Sequence, residues 1–342
     1  MATPNKCQCI CIAVLFILGV LGSQVNSRSL QDASIAEKHK QWMARYGRVY
    51  KDLEEEQQRL KIFKDNVEYI ESSNKDTTKP YRLGMNQFAD LTNEEFRLRN
   101  QYKSRGSSTS TSSFKYENVT AVPSTMDWRT KGAVTPIKDQ GQCGCCWAFS
   151  AVASMEGIVE IKTGKLISLS EQELVDCDTA GEDQGCNGGL MDDAFQFIIQ
   201  NHGLTSEAKY PYQGSDGTCN TKAVAAATIK GYEDVPSNNE AALLLAVANQ
   251  PVSVAIDGGD PNFQFYSGGV LTGECGTQLD HGVLAIGYGT TGDGPSDGTK
   301  YWILKNSWGT TWGEQGFMRI QRDVAAKEGM CGLAMEPSYP TA

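Results

Sequence analysis

Hydrophobic positions along this chain keep four different rhythms in turn. Ile10 to Leu21 is an unbroken apolar run of twelve residues. Further on, Glu55, Arg59, Phe63, Asn66, Ile70 and Asn74 recur at intervals of four, four, three, four and four. That spacing keeps all six on one face of an α-helix, either an ordinary amphipathic helix or a docking helix braced by its polar members. Residues 103–113 then lose all periodicity in a Ser/Thr-rich tract containing Gly106, the composition of a flexible linker open to proteolysis. After about Val122 the apolar positions crowd together. Cys146 to about Lys162 predicts a helix stopped by Gly164. Ser170-Glu-Gln-Glu173 predicts a capping box opening a short helix, and Met191 to Asn201 a third helix ended by Gly203. Beyond them the alternation is strand-like in Val252–Ile256, Val283–Tyr288, Tyr301–Leu304 and Phe317–Ile320, with glycine-rich turns between. The pattern predicts an α+β chain: a helical half over about 131–232 and a β half over about 233–330 joined by the N-terminal segment, with a cleft between them.

The first run changes meaning when its flanks are read. Lys6 supplies a positive start, and Val25 and Ser27 are small residues suited to a cut after Ser27, so 1–27 reads as a secretory signal peptide. As a membrane anchor the run falls short of the roughly 20 residues a span needs. The expectation is therefore the secretory pathway, with no membrane association after signal removal. Residues 28–121 carry dense charge of both signs and no cysteine, whereas 122–342 hold eight of the eleven cysteines. This contrast reads as a removable pro-segment joined by the linker to a disulfide-stapled second domain. Eight cysteines allow 105 complete pairings, so arithmetic leaves connectivity open. Asn118-Val119-Thr120 is a glycosylation sequon. A net charge of −10 argues against nucleic acid as partner.

Candidate chemistry concentrates in Gln140-Gly-Gln-Cys143-Gly144-Cys145-Cys146-Trp147, just ahead of the first long helix. A cysteine at a helix N-terminus meets free N–H groups and the positive end of the dipole, which favour the nucleophilic thiolate. Such a nucleophile wants an imidazole. Only His39, His202 and His281 exist. His39 lies in the pro-segment and His202 at a helix end, where a structural role suffices. His281, in Leu279-Asp-His-Gly-Val283, is left as the candidate base, with a structural histidine as the alternative. Asn306, in Lys305-Asn-Ser-Trp308-Gly309, offers an amide to orient the ring, and Trp308 a shield against water. Gln140, with the Cys146 N–H, would form an oxyanion hole, where one donor is typically worth about 2.7–4 kcal/mol. A zinc site is a third possibility, but Cys143, Cys145 and Cys146 are too crowded for ordinary ligand spacing and no His-x3-His pair exists. No metal or cofactor is expected.

Taken together these residues resemble a papain-like cysteine protease made as a zymogen, most like plant senescence-associated and vacuolar members. Gln140, Cys143, Gly144, Cys146 and Trp147 match the family's nucleophile motif. Asp280-His281-Gly282 matches its histidine motif, and Asn306 to Gly309 its asparagine motif. The stripe from Glu55 to Asn74 matches the inhibitory-helix signature, and Gly84-x-Asn86-x-Phe88-x-Asp90 the second pro-segment motif. The resemblance runs from about Gln31 to the C-terminus. It implies a two-domain fold, a helical left domain against a β-barrel right domain, preceded by a helical inhibitory pro-domain.

It also implies acyl transfer to Cys146, with His281 as acid and base, Asn306 orienting the ring and Gln140 holding the oxyanion. Disulfides carry over as Cys143–Cys186, Cys177–Cys219 and Cys275–Cys331, each stabilising by about 2–4 kcal/mol. Cys145 is left over. It reads either as a tolerated stand-in for a serine N-cap or as a redox-sensitive neighbour of the nucleophile. Substrate would meet Gly144, Gly188, Gly189, Leu190, Met191, Ala255, Leu279, Trp308 and Glu336. The apolar members imply a bulky apolar residue at P2, the second residue before the cut. Glu336, if it points inward, implies acceptance of arginine that grows as Glu336 ionises. The two glycines would let substrate backbone approach closely. Acid release of the pro-segment through carboxylates such as Asp90 and Glu55, with a cut near Val122, is the expected activation. Implied partners are polypeptide substrates, the chain's own pro-segment as intramolecular inhibitor and cystatin-type inhibitors, acting on a monomer in a vacuole, a lysosome-like compartment or the extracellular space. The rival function is a catalytically silent binding or storage protein of the same fold.

Overall fold

The computed structural model describes residues 33–105, 114–292 and 298–342. The expected signal peptide at 1–27 and most of the Ser/Thr tract, 106–113, lie outside the described residues. Two compact units meet at Glu68/Tyr69. The first contains helix α1 (33–46) and most of α2 (Leu53–Lys75). The two helices pack through an aromatic knot in which Trp42 and Phe63 lie 5.4 Å apart and the His39 ring bonds the Tyr50 hydroxyl at 3.2 Å. Phe63 is fully buried, whereas Glu55, at the start of the stripe, is half-buried and accepts the Lys51 amide at 2.7 Å.

The second unit is built from β1 (Tyr81–Leu83), α3 (Asn93–Arg97), β2 (Met126–Asp127), α4 (Cys146–Thr163), α5 (Glu171–Cys177), α6 (Met191–Gln200), β3 (Gly231–Asp234), α7 (Glu240–Asn249), β4 (Val252–Ile256), α8 (Pro261–Gln264), β5 (Tyr266–Leu271), β6 (His281–Thr290), β7 (Lys300–Lys305), β8 (Phe317–Gln321) and β9 (Ser338–Thr341). Helix α4 is buried on nearly every side, which is why its apolar residues show so little face preference. It stops at Gly164, whose φ of 70° suits a left-handed cap. Ser170 caps α5 by accepting the Glu173 amide, but the expected box is only half formed. The Glu173 carboxylate turns away to the buried Thr205 amide at 2.7 Å and to Asn201 at 3.0 Å. Without it the Thr205 amide would be a buried donor with no acceptor. A complete box forms instead at Thr92 and Glu95, ahead of α3.

One nine-stranded sheet runs β1-β5-β8-β7-β6-β4-β9-β3, with β2 joined to β6. Strand β6 starts two residues earlier than its alternation predicts, so His281 is a strand residue and pairs with Ile256. Strands β1, β3, β5 and β9 carry no clear alternation; β5 is interrupted by Gly268 and Gly269, and β9 contains Pro340. The pro-segment itself contributes β1, antiparallel to β5 at the sheet edge. The compact-unit boundary therefore lies inside the pro-segment rather than at its expected end near Ala121, because residues from Tyr69 onward share one core with the β half.

Candidate active site

Cys146 opens α4, as the sequence pattern places it, and is completely buried. Burial pushes its thiol up to about 11, although the amides of Gly282, Gln101 and Trp147 all point at the sulfur. Desolvation thus opposes the thiolate expected from the helix terminus and outweighs the N–H donors. Two of those amides explain how the site is assembled. Gly282 follows His281 on β6, so the sheet delivers the histidine to the helix end. Gln101 lies in the expected pro-segment, and its amide reaches the sulfur from outside the helix–sheet pair.

His281 is fully buried, and its Nε2 meets Asn306 Oδ1 at 2.8 Å. Asn306 is itself set by the Ser307 amide, which donates to the same oxygen at 2.8 Å, and by its own amide on Gly316 O at 3.0 Å. The Trp308 ring stacks on the imidazole with centroids 4.4 Å apart and planes 22° apart. Burial pulls the ring pKa down to about 4, opposed by the Asn306 bond. With Nε2 committed to Asn306, Nδ1 is the free nitrogen and has no hydrogen-bond partner among the described residues. His202, by contrast, sits exposed just past α6 with φ 61°, and His39 lies in the aromatic knot of the first unit.

Gln140 is pinned on both sides. Its Oε1 accepts the Ser307 hydroxyl at 2.6 Å, and its Nε2 donates to Cys143 O at 2.9 Å, using one of two amide hydrogens. Cys145 is buried, caps nothing with its side chain and lies 3.0 Å from the Tyr212 hydroxyl. Burial raises its thiol above the ordinary range, the direction of a structural buried cysteine. The three disulfides Cys143–Cys186, Cys177–Cys219 and Cys275–Cys331 are formed.

The chain from Gln101 to Arg105, within the expected pro-segment, occupies the residues expected to meet substrate. Gly189 N–H donates to Gln101 O at 3.3 Å, and Lys103 N–H donates to Gly189 O at 3.1 Å. A Cβ on Gly188, where φ is +104°, would stand 2.1 Å from Gln101 O, as the close-approach argument requires. Gly189 is small for a different reason: its Cβ would strike Asp183 at 2.3 Å and Trp147 at 2.8 Å, on the side away from the covering chain. Gly144 faces the Gln101 side chain and donates to Cys186 O at 3.0 Å. Between these contacts Tyr102 enters one apolar cluster with Leu190, Met191, Ala255 and Leu279.

Glu336 is buried and meets that cluster at Tyr102. It accepts the Tyr102 hydroxyl at 2.7 Å, the Ser104 hydroxyl at 2.6 Å and the Arg105 amide at 3.2 Å. The Arg105 guanidinium bonds Asp192 and, at 2.9 Å, Asp234. Burial works against that charge, but Asp192 and Asp234 outweigh it and hold its pKa above the ordinary value. Lys103, Ser104 and Arg105, at the start of the expected linker, are thus tied down; Lys103 Nζ also reaches Glu182 O at 2.7 Å.

The second pro-segment motif lies against the same site. Asn86 donates to Gln264 O at 2.7 Å, Gly84 N–H to Phe265 O at 2.8 Å, and Phe88 meets Trp308 edge-on at 5.4 Å. Asp90 is buried nearby. Asn74, the last of the stripe, makes a reciprocal pair with the Leu83 backbone at 2.8 and 3.0 Å, and Ile70 joins the core of the second unit. Asn118 is exposed in a turn. Among the described residues no group of three His, Cys, Asp or Glu is placed to hold a metal. The sequence reading passed over Tyr102, Arg105, Asp178 and Asp183. The acidic density from Asp178 to Asp193 was the one visible signal for the last two.

Over residues 122–341 the chain matches the papain family of cysteine proteases, and over residues 39–96 the cathepsin propeptide inhibitor domain I29. It is 64% identical over 341 residues to the senescence-specific cysteine protease SAG39 of Oryza sativa subsp. indica, covering 98% of this chain and 96% of that one. The senescence-specific cysteine protease SAG12 of Arabidopsis thaliana is 58% identical over 327 residues, with 92% and 93% covered. Of solved structures, a recombinant stem bromelain precursor superposes with a TM-score of 0.83 at 47% identity, covering 90% of this chain and 99% of that one.

Proposed function

Because the chain belongs to the papain family of cysteine proteases and carries a propeptide inhibitor domain, we propose that Cys146 is the nucleophile of a Cys–His–Asn endopeptidase held inactive by residues 28–121. The observation that carries this assignment is the buried His281–Asn306 bond under Trp308, which leaves Nδ1 free on the strand whose next amide, Gly282, points at the Cys146 sulfur. Once the pro-segment leaves, the Cys146 proton passes to His281 Nδ1 and the thiolate attacks the scissile carbonyl carbon. The oxyanion sits between the Cys146 N–H and the remaining Gln140 Nε2 hydrogen. His281 then gives its proton to the leaving amine nitrogen. Water, deprotonated by His281, cleaves the thioester and restores the thiol.

Residues 122–342 are the peptidase and 1–27 the signal peptide in this reading. The enzyme travels the secretory pathway to a vacuole, a lysosome-like compartment or the extracellular space, acts as a monomer and is open to cystatin-type inhibitors. The test is intact-mass analysis of acid-treated zymogen with a thiol-reactive epoxide, beside turnover of a Phe-Arg fluorogenic peptide. A fragment beginning near Val122, one label on Cys146 and epoxide-sensitive turnover are expected. A correctly disulfide-bonded protein with neither label nor turnover would establish the catalytically silent alternative.

Tyr102 also indicates what the pocket selects. Leu190, Met191, Ala255 and Leu279 share one buried apolar cluster with its ring, and Glu336 takes its hydroxyl. A substrate tyrosine at P2 is therefore expected to be cleaved better than phenylalanine, by roughly threefold to tenfold, since phenylalanine leaves the buried Glu336 acceptor without the hydroxyl donor. Glu336→Leu should erase that preference and the acceptance of P2 arginine together. Matched P2 peptides compared by kcat/KM check it, and an unchanged Tyr/Phe ratio in the variant would refute it.

A further inference from the structure

Five acidic residues lie from Asp178 to Asp193, and two of them end buried against each other. Asp183 is 0% exposed and Asp178 4%. Their carboxyl groups hydrogen-bond to one another. Each has a buried Oδ2 that no N–H or hydroxyl donor reaches among the described residues. Two carboxylates cannot bond without a proton, so one is a carboxylic acid: Asp183 donates and Asp178 accepts. Burial raises both pKa values, and for Asp183 the contact with Asp178 raises it further. The charged neighbour acting on both, Asp193 in the first turn of α6, is another anion. The Lys103 ammonium from the pro-segment goes to the Glu182 carbonyl.

The remaining oxygen of Asp183 accepts the Leu190 amide at 2.6 Å. Its carboxyl group also forms the wall behind Gly189. Gly189 is the residue whose N–H and C=O grip the pro-segment backbone at 3.3 and 3.1 Å. We propose that Asp183, kept in its acid form by Asp178, is a positioning residue for the edge Gly188–Leu190 and makes the binding of peptide backbone there pH-sensitive. The proposal rests on the reading that this edge binds substrate. When the shared proton is lost, two adjacent carboxylates repel beside a third, Asp193. Asp183 swings away, the Leu190 amide loses its acceptor and Gly189 loses its wall. Peptide affinity falls while the Cys146–His281 chemistry continues.

Asp183→Asn isolates the proton, since its Oδ1 can still accept from Leu190 and its Nδ2 can donate to Asp178 without titrating. In enzyme processed from the full-length chain, wild-type KM is expected to climb about tenfold from about pH 9 to 11, as the pH passes the Asp183 value of about 10, with kcat following its own profile, whereas the KM of D183N stays flat. Infrared spectra at neutral pH should show a carboxylic-acid C=O stretch that D183N lacks. Superimposable KM profiles, or no acid stretch in the wild type, would overturn the proposal. A peptide N-methylated at the residue facing the Gly189 carbonyl reads the edge separately. If it binds as tightly as its parent, the substrate-edge reading fails and the proposal with it, even where the infrared band is present.

Discussion

Full-length chain carrying Cys146→Ala is expected to pass through acid treatment uncut and to turn over no peptide. The substitution removes the attacking sulfur and leaves His281, Asn306 and Gln140 in place. Loss of the nucleophile from such a constellation typically lowers kcat by roughly 10⁴-fold to 10⁶-fold. Folding should survive. One small buried atom disappears, at a cost of about 1 kcal/mol, and none of the three disulfides involves Cys146. Incubation at mildly acidic pH followed by intact mass would show only full-length protein. A trace of processed wild-type enzyme, added to the variant, should release the fragment beginning near Val122, because 117–125 is largely exposed and mostly irregular. Cleavage of the variant without that addition, in protein free of other proteases, would mean that Cys146 does not perform the activating cut.

What was legible in the sequence, and what was not, follows from the range of the interactions. With only three histidines, elimination reached His281, and the amide two residues past Leu304 turned out to be its partner. Those residues sit at the ends of strongly patterned elements, where periodicity locates them. Glu173 misled because its local partner, the helix cap, lost to a buried amide at Thr205, distant in sequence and invisible to a short motif. Gly189 was marked for close approach of a substrate backbone, but the atom that forbids a side chain there belongs to Asp183. Tyr102 to Arg105 follow the last pro-segment motif and adjoin a Ser/Thr tract, so composition alone read them as part of the linker or its approach. Their partners, Gly189 and Asp192 at the start of α6, Asp234 on β3 and Glu336 ahead of β9, come from three separate places in the second unit. Glu55 and Asp90, chosen for acid release because they are acidic motif residues, are less informative than a group no motif marked as a pH sensor in the zymogen: the covered imidazole of His281.

That imidazole gives the second large expectation, a zymogen whose Cys146 is labelled faster as the pH falls. At neutral pH iodoacetamide should modify it at least about a hundredfold more slowly than in processed enzyme, since the sulfur is 0% exposed and reacts only when the cover opens. Under the cover His281 is held near 4 against its ordinary 6.5. In the opened state water reaches the ring and the ordinary value returns. The covered state therefore keeps His281's full contribution above about pH 6.5 and loses it progressively down to about pH 4, because the open state binds a proton that the covered state refuses. The difference of 6.5 − 4 = 2.5 pH units sets an upper bound of roughly 300-fold on the gain in opening. Labelling for short times, with intact mass separating tagged full-length chain from tagged fragment, measures this before processing intervenes. The wild-type rate should rise across that window, and His281→Asn, whose side chain takes up no proton there, should not. A wild-type rate flat or falling toward acid would remove His281 as the switch and return the acid response to the carboxylates.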